Sequence, residues 1–150
     1  MVTADQVYPD PSALACLYLH QQERSRRLIA WRAGRGGALP FTHHGRTEII
    51  NAICRARFVG DLDEQGVEGA LADLEGDISH GRLHQVDILW RAALNRAAEL
   101  SRTHTPTLGT RALDVLHVAC ALELKLKHFL TFDERQQKLV AAAGLKLVRL

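Results

Sequence analysis

The chain has 150 residues, of which 47% are hydrophobic, 24% charged and 5% aromatic, and its formal net charge is +2. These values predict a single domain over residues 1–150 with a sizeable core, and the small net charge does not by itself indicate a nucleic-acid partner. No apolar run reaches membrane-spanning length and no basic-then-apolar signal opens the chain, so we expect a cytoplasmic protein without membrane association.

Short strand patterns alternate with helical patterns in the N-terminal half. A first strand, QVYPD, ends at Asp10, and Pro11 opens a long helical stretch that ends at Gly34 and could be broken before its Arg-rich end. A second strand, ALPFTH, precedes the helical segment GRTEIINAICRARF, whose isoleucines recur at helical spacing. The segment DEQGVEGALADLEGDIS predicts another amphipathic helix.

The same alternation continues to the end of the chain. RLHQVDI predicts a third strand, LWRAALNRAAELSRTH a helix, TPTLGT a loop, and RALDVLHVACALELK a helix that is apolar nearly all round and therefore buried. HFLTFD is a strand pattern, ERQQKLVAAAG a helix that ends at Gly144, and LKLVRL a terminal strand. This order predicts an α/β domain with a central, mainly parallel sheet flanked by helices.

Positive charge is concentrated in one segment, ERSRRLIAWRAGR. Its arginines form either a solvated helix face or a rim that contacts phosphate or a protein partner. The members of this group are Arg24, Arg26, Arg27, Arg32 and Arg35.

Four acidic residues stand out by their positions in the predicted elements. Asp10 and Asp133 each end a predicted strand, at the edge of a parallel sheet where ligands gather. Glu48 and Asp114 lie in helices whose other residues are largely apolar, where a carboxylate is costly to bury without a partner. Four separate segments thus bring an acid to one predicted edge of the fold.

Each of these acids, taken singly, also has a structural explanation. Asp10 and Asp133 can cap the helices that follow them, and Asp114 suits the first turn of its helix. Glu48 can pair with a nearby arginine, Arg46 or Arg55. Capping and pairing do not predict, however, that all four acids come from segments that meet at the same edge.

Four carboxylates in one pocket repel one another, so one of them takes up a proton unless a cation intervenes. Mg²⁺ and Mn²⁺ prefer oxygen ligands, and such ions activate water for in-line attack on a phosphoryl group. No Cys/His set is evident that would favour a softer metal: His80 and His84 lie across a glycine, and the adjacent His43 and His44 are given no role.

Five stretches of the sequence carry a resemblance to a known family. They are YPDPSALACLYL, RTEIINAICRARF, LDVLHVACAL, FLTFDERQ and LVAAAGLKLV. In these the chain resembles the PIN-domain family and, within it, the VapC-type toxins of type II toxin–antitoxin systems. The resemblance runs from about Val7 to the C-terminus, is weakest between residues 58 and 90, and is most specific in the last forty residues.

The resemblance implies a three-layer PIN-like fold and a role for each matching position. The acids that would be catalytic and would hold Mg²⁺ or Mn²⁺ are Asp10, Glu48, Asp114 and Asp133. Ser12 would be a polar group beside the first acid, Thr131 would support the last one, and His117 would be a structural, hydrogen-bonded residue. The chain departs from the family pattern at Pro11, where a Thr or Ser is usual, and at Pro9 in the first strand.

The activity implied by the resemblance is that of a metal-dependent endoribonuclease that acts as a toxin. Its expected partners are an RNA substrate, a cognate small antitoxin and a second copy in a homodimer, with partner contacts that could lie on the segments ALACLYL and IINAI. An inactive PIN-fold protein that binds RNA or a protein partner is the alternative. A phosphotransfer domain is disfavoured, because Ser12 stands where a second Asp would be needed and a late strand ends in Asp133 rather than Lys.

Overall fold

The computed structural model describes residues 1–20 and 23–150. A short 3₁₀ helix (Ala4–Gln6) leads into the first strand. The strands of this described part are β1 (Val7–Pro9), β2 (Leu39–Thr42), β3 (Leu83–Val86), β4 (His128–Leu130) and β5 (Lys146–Leu147). Its helices are α1 (Pro11–Ala15), α2 (Glu23–Ala33), α3 (His43–Phe58), α4 (Glu64–Ser79), α5 (Trp90–Leu108), α6 (Ala112–Glu123) and α7 (Glu134–Ala142).

The strands form a parallel arrangement in two hydrogen-bonded groups. One has the order β1-β4-β5, with Pro9 opposite Leu130, and the other pairs β2 with β3, with Pro40 opposite His84. Strand β2 lies beside β1. Pro9 and Pro40 cannot donate a backbone hydrogen bond, so each removes one donor from these neighbouring strands.

The core has two parts, one on each side of the sheet. Successive strand residues point to opposite faces, so Val7 packs into one part and Tyr8 into the other. The first part holds buried side chains of α1 to α4, and the second holds those of α5 to α7. The predicted α/β fold, a parallel sheet flanked by helices, is confirmed.

The helical stretch predicted from Pro11 to Gly34 is divided in the structure. Helix α1 ends at Ala15, and α2 begins only at Glu23, ahead of its arginines. Gln21 and Gln22 in this prediction lie outside the described residues. Pro11 occupies the first position of α1, where a missing backbone donor costs nothing, so it leaves Asp10 in place as the helix cap.

The prediction that residues 105–110 form a loop is wrong for residues 105–108 and right for 109–110. Helix α5 continues through Pro106 to Leu108, and Gly109 ends it in the left-handed conformation with φ 65°. The Gly109 N–H bonds to the Thr105 carbonyl at 2.8 Å, a capping geometry that glycine adopts without strain. The terminal strand is also shorter than predicted, since only Lys146–Leu147 pair with β4. Among the described helices, α5 included, none has both the length and the hydropathy for crossing a bilayer.

Candidate active site

The sheet places the first and last acids side by side. Asp10 directly follows β1, and its N–H bonds to the Leu130 carbonyl at 2.9 Å, which continues the pairing with β4 beyond the strand ends. Asp133 follows β4 by three residues and caps α7, accepting a hydrogen bond from the Gln136 N–H at 2.9 Å. Both acids therefore lie at the carboxyl edge of neighbouring parallel strands, as predicted.

Two helices bring the remaining acids to the same edge. Glu48 extends from α3 and Asp114 from the first turn of α6. Together with Asp10 and Asp133 they line a cleft of about 410 Å³. The structure therefore brings together the four acids named from the sequence, although their metal-binding and catalytic roles stay predictions.

Of the two supporting residues, one lines the cleft and the other lies beneath it. The Ser12 side chain is in the cleft and donates its hydroxyl hydrogen to Asp10 Oδ2. Thr131 is buried and does not line the cleft; its Oγ1 accepts a hydrogen bond from the Asp133 N–H at 3.1 Å. Thr131 thus fixes the backbone that carries the last acid, the position the resemblance implied for it.

Asp10 is the most buried of the four acids, with 5% of its surface exposed. Its Oδ2 accepts from the Ser12 N–H at 3.2 Å as well as from the Ser12 hydroxyl, and its Oδ1 accepts from Gln136 Nε2 at 3.2 Å. Burial raises the pKa of Asp10 above its ordinary value, and the bond from Ser12, the His117 imidazole and the bond from Gln136 offset that rise only in part. Within the described part of the chain, no arginine or lysine forms an ion pair with Asp10.

Gln136 is a residue of the site that the sequence analysis missed. It is fully buried; its Nε2 also reaches the Asp114 carbonyl at 3.3 Å, and its N–H is the donor that Asp133 caps. One side chain thus connects the segments of Asp10, Asp114 and Asp133. Its Oε1 is buried and has no hydrogen-bond partner among the described residues. The sequence did contain a sign of this role: Gln136 follows a helix-capping acid by three residues and lies inside the FLTFDERQ motif.

Glu48 has a different environment, built from aromatic and imidazole groups. His117 Nε2 lies 2.8 Å from Glu48 Oε2, and His44 Nε2 lies 3.1 Å from Oε1. Burial by itself would raise the pKa of Glu48, but the hydrogen bond from His117 and the nearby imidazoles outweigh it and lower that pKa below its ordinary value. Glu48 is therefore ionised at neutral pH.

Tyr8 completes this chain of contacts from beneath the cleft. Its hydroxyl lies 2.7 Å from His117 Nδ1, and burial raises the pKa of Tyr8 well above the ordinary value, so the hydroxyl stays protonated. When this hydroxyl donates to Nδ1, the imidazole hydrogen lies on Nε2 and faces Glu48. His117 is 2% exposed and is a hydrogen-bonded residue, as the sequence analysis expected.

The expectation that no histidine set would form was wrong. The structure brings together His44, Glu48 and His117, with one nitrogen or oxygen atom of each side chain within 4.8 Å of the others. Imidazole and carboxylate groups are residue types found in metal sites. His44 and Glu48 are four residues apart in α3 and so share a helix face, which is the sequence signal that was available. His117 joins them only through the packing of α6 against the same cleft.

Arg111 is a second missed residue, and it lies on the exposed rim of the cleft. Its Nε is 3.3 Å from Asp114 Oδ2 and its Nη2 is 3.6 Å from Asp133 Oδ2, while 70% of its side chain is exposed. This contact shows that the two rim carboxylates attract a cation. Arg111 lies just before α6, and nothing in the sequence around it indicates that it would bridge acids from two segments.

The donor set fits a divalent cation. Four carboxylates line one cleft, the rim pair attracts a cation, and the buried Asp10 has only neutral hydrogen-bond donors to compensate its charge. Oxygen ligands of this kind suit Mg²⁺ or Mn²⁺, and His44 beside Glu48 adds a nitrogen donor to one side of the cleft, whereas both nitrogens of His117 are engaged by Tyr8 and Glu48.

Comparison with known families agrees with this geometry. The sequence model of the PIN domain family matches residues 7–142, which is nearly the whole chain and includes all four acids. The comparison with curated proteins gives no match. PIN domains are generally nucleases and typically use divalent metal ions.

Proposed function

We propose that this chain, which belongs to the PIN domain family, is a Mg²⁺- or Mn²⁺-dependent endoribonuclease and the toxin of a VapBC-like toxin–antitoxin pair. One observation carries the proposal: acids from four separate segments line one cleft, and the most buried of them has no cationic partner among the described residues. The family resemblance supports the finer assignment to RNA and to toxin activity.

In this proposal Asp10, Glu48, Asp114 and Asp133 hold the ion. When bound, the ion supplies positive charge for the transition state of phosphodiester hydrolysis and acidifies the attacking water. The proposal needs no covalent intermediate on the protein, because water would be the nucleophile.

The other side chains of the cleft position and balance these acids. Ser12 and Gln136 fix both oxygens of Asp10, and His117 holds Glu48 in its ionised form. Arg111 is exposed enough to exchange its carboxylate contacts for a phosphate of the substrate when the acids are neutralised by an ion. The arrangement therefore brings a cation site and a phosphate-binding cation to one place.

The proposed antitoxin and the second copy in a homodimer need exposed apolar surface. The segments suggested by the sequence supply little of it, since Leu14, Ile49 and Ile53 are fully buried. More is available at the start of α5, where Trp90 is 36% and Leu94 is 54% exposed, one helical turn apart on the same face. We place the protein-partner contact there.

The test of the nuclease uses purified protein, structured and unstructured RNA, and Mg²⁺ or Mn²⁺. We expect cleavage by the wild type and loss of cleavage in Asp10→Asn and Asp114→Asn. Asp73→Asn, an exposed acid on α4 outside the cleft, is the matched control and should cleave normally. Equal cleavage by all four proteins would refute the assignment.

The toxin role has its own test in cells. Brief induction of the wild type should arrest growth and create new RNA 5′ ends, whereas Asp114→Asn should do neither. Co-purification from the native operon should yield a small partner that suppresses both effects. Cleavage of RNA without growth arrest would leave a nuclease that is not a toxin.

A further inference from the structure

One groove continues from the acidic cleft, and a second groove shares the side chain of Phe132 with the first. The first, of about 480 Å³, shares Ser12, Arg111 and Asp133 with the cleft and is also lined by Arg24, Phe132 and Glu134. The second, of about 530 Å³, continues from Phe132 along the end of β5. Phe132 is partly buried, so it forms a fixed wall between the two grooves.

The arginines of these grooves follow one another away from the cleft. Arg111 and Arg24 line the first groove, and Arg27 and Arg149 line the second, where none of the described lining residues has an acidic side chain. Of the two acids in the first groove, Asp133 is already in contact with Arg111 at 3.6 Å. The surface therefore becomes more basic with distance from the metal-binding acids.

Arg24 and Phe132 are also in direct contact. The guanidinium carbon of Arg24 lies 5.6 Å from the centre of the Phe132 ring, and Arg24 and Arg27 are three residues apart on α2, on the same helix face. Arginines that follow a groove past a fixed aromatic ring are the elements that bind single-stranded nucleic acid: phosphates pair with the guanidinium groups, and a base stacks on the ring.

We propose that these two grooves bind the single-stranded RNA on one side of the bond that the acidic cleft cleaves. Arg24 and Arg27 contact phosphates, and Phe132 stacks against an unpaired base. The proposal rests on the proposed nuclease function for the position of the cleaved bond. It gives the Arg-rich segment of α2 a role in contacting phosphate, one of the two roles its sequence allowed.

The first test measures binding separately from cleavage. A fluorescent, unstructured oligoribonucleotide is titrated in EDTA, where no metal-dependent cleavage occurs, and anisotropy is followed at several salt concentrations. Arg24→Gln should weaken binding about fivefold and should reduce the slope of log K against log salt by about 0.7, the value for one lost phosphate contact on a single strand. Arg26→Gln is the matched control, since Arg26 is exposed on the same helix but lines neither groove, and it should bind like the wild type.

The second test addresses the aromatic contact. Phe132→Leu preserves the apolar packing but removes the ring, and it should weaken binding of the oligoribonucleotide about tenfold. Binding of an abasic ribose-phosphate chain of the same length should be unchanged by this substitution, because it has no base to stack. Circular dichroism of each variant verifies the fold.

The outcomes separate this inference from the proposed function. The inference is overturned if Arg24→Gln binds as tightly as Arg26→Gln, if the wild type does not bind the oligoribonucleotide, or if polyglutamate competes with RNA equally well, which would indicate an acidic protein partner instead. Arg24-dependent RNA binding by a wild type that cleaves nothing with Mg²⁺ or Mn²⁺ supports the RNA path and refutes the nuclease.

Discussion

The surroundings of the carboxylates on the two sides of the acidic cleft shift their pKa values in opposite directions. Asp10 is almost fully buried among neutral donors, and burial raises its pKa; Glu48 is only partly buried beside two imidazoles, and its pKa is lowered. Both carboxylates accept hydrogen bonds, so bonding alone does not decide the direction. At Asp10 the hydrogen bonds from Ser12 and Gln136 and the nearby His117 imidazole offset only part of the effect of burial on the pKa, whereas at Glu48 two imidazoles in direct contact outweigh it.

The two acids therefore differ in how far the protein itself stabilises their ionised forms. Glu48 is stabilised as an anion by the protein itself, through His117 and His44. Among the described residues no imidazole, arginine or lysine is in direct contact with Asp10, so Asp10 gains most from an added cation, since the attraction between charges is strongest where water is excluded. The Asp10 side should therefore contribute more to metal affinity than the Glu48 side.

The largest expected effect is on metal affinity when each acid is neutralised. Asp10→Asn should weaken Mn²⁺ binding by more than about a hundredfold, since even the loss of an outer-shell partner costs about 10- to 100-fold. Glu48→Gln should cost about tenfold, because its charge is already shared with His117 and His44. Calorimetric titration of Mn²⁺ measures both, with Asp73→Asn as the control. A larger loss of Mn²⁺ affinity in Glu48→Gln than in Asp10→Asn would contradict the claim that Asp10 contributes more to metal binding.

Removal of the hydroxyl beneath His117 should weaken the Glu48 side indirectly. Tyr8→Phe keeps the ring stacked on Phe129 at 5.2 Å but removes the hydroxyl that contacts His117 Nδ1, so we expect about threefold weaker Mn²⁺ binding, a smaller loss than neutralisation of Glu48 itself causes. The stability loss should be about 1 kcal/mol, typical of one hydrogen bond.

Tyr18→Phe is the matched control for this substitution. Tyr18 is also buried, and its hydroxyl donates to Asp77 at 2.8 Å, outside the acidic cleft. It should lose similar stability in urea denaturation and leave Mn²⁺ affinity unchanged. Equal effects of the two substitutions on affinity would show that Tyr8 has only a packing role.

The opposite pKa directions should appear as opposite pH dependences of stability. The raised pKa of Asp10 means that its contribution is fully present below the unfolded value near 3.8 and is lost as pH rises through the folded pKa. The lowered pKa of Glu48 means that its contribution is present above 4.5 and is lost as pH falls through the folded pKa.

Urea denaturation in EDTA between pH 3.5 and 7.5 measures both effects. Relative to the wild type, Asp10→Asn should gain stability as pH rises over this range, whereas Glu48→Gln should lose stability. Each variant is compared by how its free energy of unfolding changes with pH, because the cost of its altered hydrogen bonds is the same at every pH and cancels in this comparison. Slopes of the same sign for the two variants would contradict the assignment of opposite environments.

The sequence predicted the parts of this site that depend on local order along the chain. Strand ends and helix caps identified Asp10 and Asp133, and the apolar context of their helices identified Glu48 and Asp114. The alternation of strands and helices was enough for the fold class. Even the structural explanation of Asp10 was right, since it caps α1 while lining the cleft.

The contacts that the sequence did not reveal join separate segments of the chain. Gln136 reaches Asp10 across 126 positions, and His117 reaches Glu48 across 69, so their partners are fixed only when the sheet and helices assemble. The error at residues 105–108 of the predicted loop has a local cause instead. Near the end of α5 the hydrogen bond that Pro106 cannot make is tolerated, and Gly109 provides the end of the helix.

The smallest expected effect comes from Arg111 on the rim, where a protein cation already meets two carboxylates. Arg111→Gln should change stability by less than about 0.5 kcal/mol, because its side chain is 70% exposed and such ion pairs are screened by water. The same substitution should strengthen Mn²⁺ binding about threefold, since Asp114 and Asp133 lose a competing positive charge. The gain should shrink as KCl is raised, because salt screens exposed charges. Arg91→Gln, an exposed arginine on α5 outside the cleft, should show neither change. Weaker Mn²⁺ binding in Arg111→Gln would mean that Arg111 organises the rim acids for the ion rather than competing with it, and the rim would then resemble the supported Glu48 side rather than the uncompensated Asp10 side.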